Sequence, residues 1–124
     1  MRSLNILVVE DDRDFANRLA DYLRLNGHDV DSAGSGEAGL ARLAGKDFDL
    51  ALLDIMLPGM SGADALRSIR DKSPETAIIM MTGQRAEIHA EAARKLGATD
   101  ILQKPFDPSR IFGHVEKAKK ESGQ

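Results

Sequence analysis

The stretch Ile6-Leu7-Val8-Val9-Glu10-Asp11-Asp12 decides the fold class. A continuous apolar run rich in β-branched residues reads as a strand buried on both faces, and its abrupt end in acids puts charge where the strand emerges. The hydrophobic period then changes. Phe15, Leu19, Tyr22 and Leu23 recur at helical spacing, and Asn26-Gly27 closes the pattern as a helix stop. A doubly buried strand followed at once by an amphipathic helix is one βα unit.

The unit repeats along the chain. Asp29-Val30-Asp31-Ser32-Ala33 alternates as a short strand, and Gly34-Ser35-Gly36 leads into a helix through Ala38, Leu40, Ala41 and Leu43 that stops at Gly45. Leu50-Ala51-Leu52-Leu53 is a third strand ending on Asp54. The loop Pro58-Gly59-Met60-Ser61-Gly62 follows, with Ser61 as the cap of a helix carrying Leu66 and Ile69 and Asp64 at the capping-box position. Ala77-Ile78-Ile79-Met80-Met81 is a fourth strand ending on Thr82-Gly83, followed by a helix with Ile88, Ala92 and Leu96 on one stripe and a stop at Gly97. Asp100-Ile101-Leu102 is a fifth strand, trailed by Lys104-Pro105. Asp107-Pro108 opens a last helix, with Ile111, Phe112, Val115 and Ala118 inward. Five strands alternating with five helices predict a single doubly wound α/β domain with a parallel sheet, because each crossover helix must cover one face.

Composition narrows the function. The 124 residues are 42% hydrophobic and 30% charged, a balance for one globular domain and not for a disordered or collagenous chain. A net charge of -3 is the wrong sign for neutralising phosphate backbones, so direct nucleic-acid binding is not expected. The chain has no cysteine, which removes thiolate nucleophiles, disulfides and zinc ribbons, and fits a cytoplasmic location. No window is apolar and long enough for a signal peptide or a bilayer span, so no membrane insertion is expected.

In doubly wound sheets ligands bind outside the carboxyl ends of the strands. Strand one delivers Glu10, Asp11 and Asp12 to that edge, strand three Asp54, strand four Thr82, and strand five Lys104 beside Pro105. Singly, each has a structural explanation: Asp12 and Asp14 suit the first turn of a helix, and Lys-Pro makes a turn. Together, carboxylates with one lysine and one hydroxyl fit a hard divalent cation plus an oxyanion, and the acids would repel one another without a cation.

Four segments carry a resemblance: Ile6 to Asp12, then Asp54-Ile55-Met56-Leu57-Pro58-Gly59-Met60-Ser61-Gly62, then Met81-Thr82-Gly83, then Lys104-Pro105-Phe106. In this order and spacing the chain resembles the response-regulator receiver domain of the CheY-like superfamily over essentially its full length. The resemblance implies a flavodoxin-like (βα)5 domain over residues 1–121 with strand order 2-1-3-4-5 and a polar tail at 122–124. It implies Asp54 as phosphoacceptor, and Mg2+ held by Asp11 directly, Glu10 through water, Met56 through its carbonyl, and Asp54 itself. Asp12 would lie beyond the direct ligands. Thr82 and Lys104 would bind the phosphoryl oxygens, and Lys104-Pro105 would be cis. The implied partners are a histidine kinase or phosphotransfer protein as donor and a downstream effector or detached output domain as target. The chain is read as a signalling acceptor, not an enzyme. Its 124 residues leave no room for an output domain, so it is expected to signal through noncovalent partners, unless the polar end marks a cut linker.

The chain departs from the family pattern at Ile101, where a tyrosine or phenylalanine commonly moves inward as the threonine turns. A modified or weaker switch is therefore expected on the face of helix four, strand five and helix five; an aromatic ring moving there would have to be Phe106 or Phe112 and would count against this expectation. Met56 and Gln84 are candidates for setting the lifetime of the acyl phosphate.

Gly34-Ser35-Gly36-Glu37-Ala38-Gly39 matches the G-x-G-x-x-G dinucleotide fingerprint, but it follows the second, edge strand, and Glu37 places an anion where a pyrophosphate would dock. A haloacid-dehalogenase-like phosphatase needs a second carboxylate two residues after its nucleophile, where this chain has Met56. A pseudo-receiver that is not phosphorylated is disfavoured by Asp54, Asp11, Thr82 and Lys104 occurring together. Ser61 is not in a nucleophile elbow, and His28, His89 and His114 are expected on helix or loop surfaces.

Overall fold

The computed structural model describes residues 3–83, 85–111 and 113. Strands β1 (Asn5–Val9), β2 (Asp29–Ala33), β3 (Leu50–Asp54), β4 (Ala77–Thr82) and β5 (Asp100–Gln103) alternate with helices α1 (Arg13–Leu25), α2 (Gly36–Gly45), α3 (Gly62–Lys72) and α4 (Ala86–Lys95). All strand pairs are parallel and the order is β2-β1-β3-β4-β5, as the resemblance implied. The predicted fifth helix is described only at its opening. Asp107 Oδ1 accepts the Ser109 N–H at 2.9 Å, Pro108–Arg110 form a 3-10 turn, and Ile111 is buried. Phe112, Val115, Ala118 and the tail at 122–124 lie outside the described residues.

The two-residue period of the strands divides the core between the two faces. Ile6, Val8, Leu50, Leu52, Ile79, Met81 and Leu102 pack with Ala16, Leu19, Ala20 and Leu23 of α1. Leu7, Val9, Ala51, Leu53, Ile78, Met80 and Ile101 pack on the other face with Ala65, Leu66 and Ile69 of α3 and Ala93 of α4. Burial on both faces explains why β1, β3 and β4 read as unbroken apolar runs. Each such side chain removed from water contributes about 1.5–3 kcal/mol.

Helix starts follow local chemistry. Asp12, Ser35 and Ser61 each accept the N–H three residues on, at 3.1 Å. Asp64 does not complete the capping box in the usual sense, because its carboxylate accepts from Arg67 at 3.1 Å. Gly27 (φ 92) and Gly97 (φ 105) turn the chain out of α1 and α4 in the left-handed region.

The glycine-rich segment that mimics a dinucleotide fingerprint has a packing role. A Cβ on Gly39 would stand 2.9 Å from Val9 Cγ2, and one on Gly36 would stand 3.0 Å from Met60 Sδ. These glycines let α2 approach β1 and the loop after β3, so the motif needs no nucleotide.

Two expectations are corrected. Of the expected stripe Ile88, Ala92 and Leu96, only Leu96 packs on the core: Ile88 is 62% exposed and Ala92 is exposed, while Ala86, Ala90 and Ala93 face inward instead. The small alanines let the helix lie close to β5, and the longer isoleucine is left on the outer side. His28 is not on the surface either. It is buried, and its Nδ1 accepts the Leu4 N–H at 3.1 Å, because the chain enters β1 directly beneath the α1–β2 turn.

Candidate functional site

The parallel sheet brings the sequence-predicted residues to one edge. Glu10 follows β1, Asp54 ends β3, Thr82 ends β4, and Lys104 follows β5. Their neighbours fix how far each strand reaches. The Ile55 N–H donates to the Met81 carbonyl at 2.9 Å, and the Lys104 N–H donates to the Thr82 carbonyl at 2.7 Å. Lys104-Pro105 is cis, as the resemblance implied.

Glu10 and Asp54 are only 1% and 5% exposed, and Asp11 beside them is exposed. Carboxylate oxygens of Glu10, Asp11 and Asp54 lie within 4.8 Å of one another. Lys104 Nζ donates to Asp54 Oδ2 at 2.8 Å and also to Glu10 Oε1. One ammonium therefore serves two buried carboxylates, with a third close by. That donor set is all hard oxygen and carries excess negative charge, which fits a divalent cation of the magnesium type.

The imbalance appears in the ionisation of Glu10. Burial pushes its carboxyl up to about 7, with the Asp54 charge adding to the effect, although hydrogen bonds from Lys104 and the Asp12 N–H pull the other way. For Lys104, burial alone would lower the ammonium, but its bonds to Asp54 and Glu10 prevail and hold it above the usual lysine value.

Met56 lies in the loop after Asp54. Its N–H donates to Asp54 Oδ1 at 2.9 Å, and its side chain is 63% exposed. Both Asp54 oxygens thus have a donor, Oδ1 from the backbone and Oδ2 from Lys104. The loop is pinned behind them: the Gly62 N–H donates to the Ile55 carbonyl at 2.9 Å, and a Cβ on Gly62 would lie 2.5 Å from Ile55 Cα. Asp12 is outside the acidic group and acts as the cap of α1, while its own N–H donates to Glu10 Oε2 at 3.0 Å. Thr82 is fully buried at the strand end. Gln84 lies outside the described residues.

Ile101 and Phe106 fall on different sides of the sheet. Ile101 is buried among the α3 and α4 contacts, whereas Phe106 packs on the α1 side, edge-on to Phe15 with centroids 5.8 Å apart. Phe106 cannot stand in for the missing aromatic at 101, and Phe112 is not described.

Two residues near the site were not singled out by sequence reasoning. The Phe15 ring lies under the Lys104 ammonium at 4.8 Å from its centroid. Gln103 Oε1 accepts the Ala86 N–H at 2.9 Å, capping a helix whose own N-cap, Arg85, supplies no side-chain cap. Phe15 signals only as a core position of α1, and Gln103 has no local sequence signal.

A doubly wound parallel sheet with buried acids, a hydroxyl and a lysine at the carboxyl edge of its strands is the architecture of a receiver domain. The chain belongs to the response regulator receiver domain family, whose pattern it matches over residues 6–116. The sensory transduction protein RegX3 of Mycolicibacterium smegmatis is 35% identical over 111 residues, which are 90% of this chain and 48% of RegX3. A CheY-like receiver domain protein from Methanospirillum hungatei JF-1 superposes with a TM-score of 0.90 at 29% identity, covering 97% of both chains. A response regulator protein from Burkholderia pseudomallei, solved with a phosphorylated aspartic acid, a calcium ion and citrate, has a TM-score of 0.83 at 27% identity over 96% of this chain and 72% of that one. The chain spans about half or less of the length of the curated relatives it matches. Among the described residues no helix is long and apolar enough to cross a membrane.

Proposed function

We propose that Asp54 accepts a phosphoryl group in a two-component phosphorelay. A carboxylate oxygen of Asp54 forms the new O–P bond, the N–P bond of a phosphohistidine breaks, and the imidazole, protonated from solvent on its other ring nitrogen, leaves as the neutral base. Both reactants are anionic, so the site must cancel charge as the group moves. Lys104 supplies one positive charge beside Asp54. A magnesium ion, held by Glu10, Asp11, Asp54 and the Met56 carbonyl, would supply the remainder when bound. Thr82 would donate its hydroxyl to a phosphoryl oxygen, which makes its rotation the switching step. Because the group ends on the chain itself, the domain is an acceptor and not a turnover catalyst.

The observation that carries this reading is the Lys104 contact with Asp54 Oδ2 at 2.8 Å inside a cluster of three carboxylates. The Burkholderia neighbour, with its phosphorylated aspartic acid and calcium ion, supports it by similarity. The donor would be a histidine kinase or phosphotransfer protein, the target an effector or output domain, the location the cytoplasm, and the receiver unit residues 1–121. The test is incubation with Mg2+ and acetyl phosphate or a cognate histidine kinase, followed by intact mass measurement. A phosphoryl gain in the wild type that disappears in Asp54→Asn is expected; no gain in the wild type with either donor, or an undiminished gain in the variant, overturns the reading.

A further inference from the structure

We propose that Phe15 is a positioning residue for Lys104, its ring forming the wall that holds the lysine ammonium against Asp54. This rests on the reading of Asp54 as phosphoacceptor. Phe15 is the third residue of α1, and its ring centroid lies 4.8 Å from Lys104 Nζ, within the range of a cation–π contact. The lysine stem is long and flexible, and only 19% of the side chain is exposed. Two carboxylates accept from the ammonium, and the electron-rich ring face lies against the same group.

The ring is itself fixed. The Phe15 N–H donates to Asp12 Oδ1 at 3.1 Å, and the Asp12 N–H donates to Glu10 Oε2 at 3.0 Å. Glu10 Oε1 then accepts from Lys104, so Glu10, Asp12, Phe15 and Lys104 form a closed circuit of contacts. The Phe106 ring stands against Phe15 at an interplanar angle of 81°, which restrains its tilt. An aliphatic side chain at position 15 would fill much of the same space and keep the helix, but it would offer no face to the cation. The bland alternative is that Phe15 merely lines the cleft of about 310 Å3 that it shares with Arg18, Leu19, Pro105, Phe106 and Pro108.

The alternatives separate with Phe15→Leu and Phe15→Tyr in the full chain. Leucine keeps apolar bulk and helix propensity without the π face, and tyrosine keeps the face. The NMR shifts of the Lys104 ε-methylene group report ring proximity whether or not any phosphoryl group moves. They are expected to be displaced by the ring current in the wild type and in Phe15→Tyr, and to return to ordinary lysine values in Phe15→Leu. The rate of phosphoryl gain from acetyl phosphate at saturating Mg2+ is expected to fall about 3- to 10-fold in Phe15→Leu and to be restored in Phe15→Tyr. Unchanged Lys104 shifts in a folded Phe15→Leu, or a wild-type rate in that variant, overturn the role of Phe15 and leave the phosphoacceptor reading intact. No phosphoryl gain in wild type or variants, from acetyl phosphate or from a histidine kinase, overturns the phosphoacceptor reading and the positioning role with it. If Phe15→Leu fails to fold, an ordinary Lys104 shift in wild type or Phe15→Tyr overturns the contact.

Discussion

Lys104 and Glu10, 94 residues apart in sequence, meet through a direct ammonium–carboxylate contact, and the same ammonium reaches Asp54 at 2.8 Å. In the metal-free protein this lysine is the resident counter-charge of the acidic cluster. Lys104→Met should therefore act twice. It should slow phosphoryl gain from acetyl phosphate by on the order of 10²-fold, the cost of removing one preorganised charge from a transferring anion. It should also destabilise the metal-free protein by about 3 kcal/mol in urea unfolding, because two buried carboxylates lose their cation. Added Mg2+ should recover much of that loss, and equal stability with and without Mg2+ would count against a cation site there.

The elevated Glu10 carboxyl gives stability a pH dependence of defined sign. Its folded value is about 7 against an ordinary 4.5, so the native state holds a proton that the unfolded chain has lost. The resulting stabilisation is complete below about 4.5 and is lost as pH rises through about 7, a change on the order of 3 kcal/mol. Asp107 acts in the opposite sense, because the Ser109 N–H lowers its carboxyl and its contribution fades as pH falls. The difference between wild type and Glu10→Gln isolates the first effect. In metal-free buffer that difference should change between pH 4.5 and 7, and a flat difference would refute the assignment.

Gly62 tolerates no side chain. A methyl group would lie 2.5 Å from both Cα and the carbonyl oxygen of Ile55, which is backbone and cannot swing aside. Gly62→Ala should cost about 1–3 kcal/mol despite the better helix propensity of alanine. It should also weaken Mg2+ binding, because the displaced loop carries Met56 and its bond to Asp54. A melting temperature at or above that of the wild type would show that the loop can yield.

Ile101 fills its site. It is buried with Met80 and Ala93, and Phe106 lies across the sheet. Ile101→Phe should overpack the region and cost about 1–3 kcal/mol, read as a lowered melting temperature. A neutral substitution would reveal room for a ring and revive an aromatic switch.

Gln103 holds the start of α4 from another strand. Gln103→Ala should cost about 1 kcal/mol and raise amide exchange at Ala86, since it removes the acceptor of that N–H. Unchanged protection at Ala86 would show that another group caps the helix.

The legibility of the sequence varied with the range of the interactions. Strand runs, the helix starts at Ser61 and Asp107, and the stops at Gly27 and Gly97 depend on a few neighbouring residues, and each is legible in the sequence. The edge residues Glu10, Asp11, Asp54, Thr82 and Lys104 were readable because parallel strands deliver their ends to one side. The α4 stripe is not legible because Ile88 outweighs alanine in hydrophobicity, although close packing on β5 favours the smaller residue. His28 was misplaced because its burial depends on the chain entering β1 beneath it. The placement of Phe15 under Lys104 and of Gln103 on Ala86 comes from tertiary approach, which no local spacing encodes.

Among the described residues β2 and β5 are the outer strands of the sheet, and both carry acids. Asp29 and Asp31 lie on β2, with Lys46 3.6 Å from Asp31, and Asp100 begins β5. Two copies adding strand to strand would crowd like charges along the new seam. Like charge on the outer strands thus opposes growth of the sheet into a longer ribbon by strand addition.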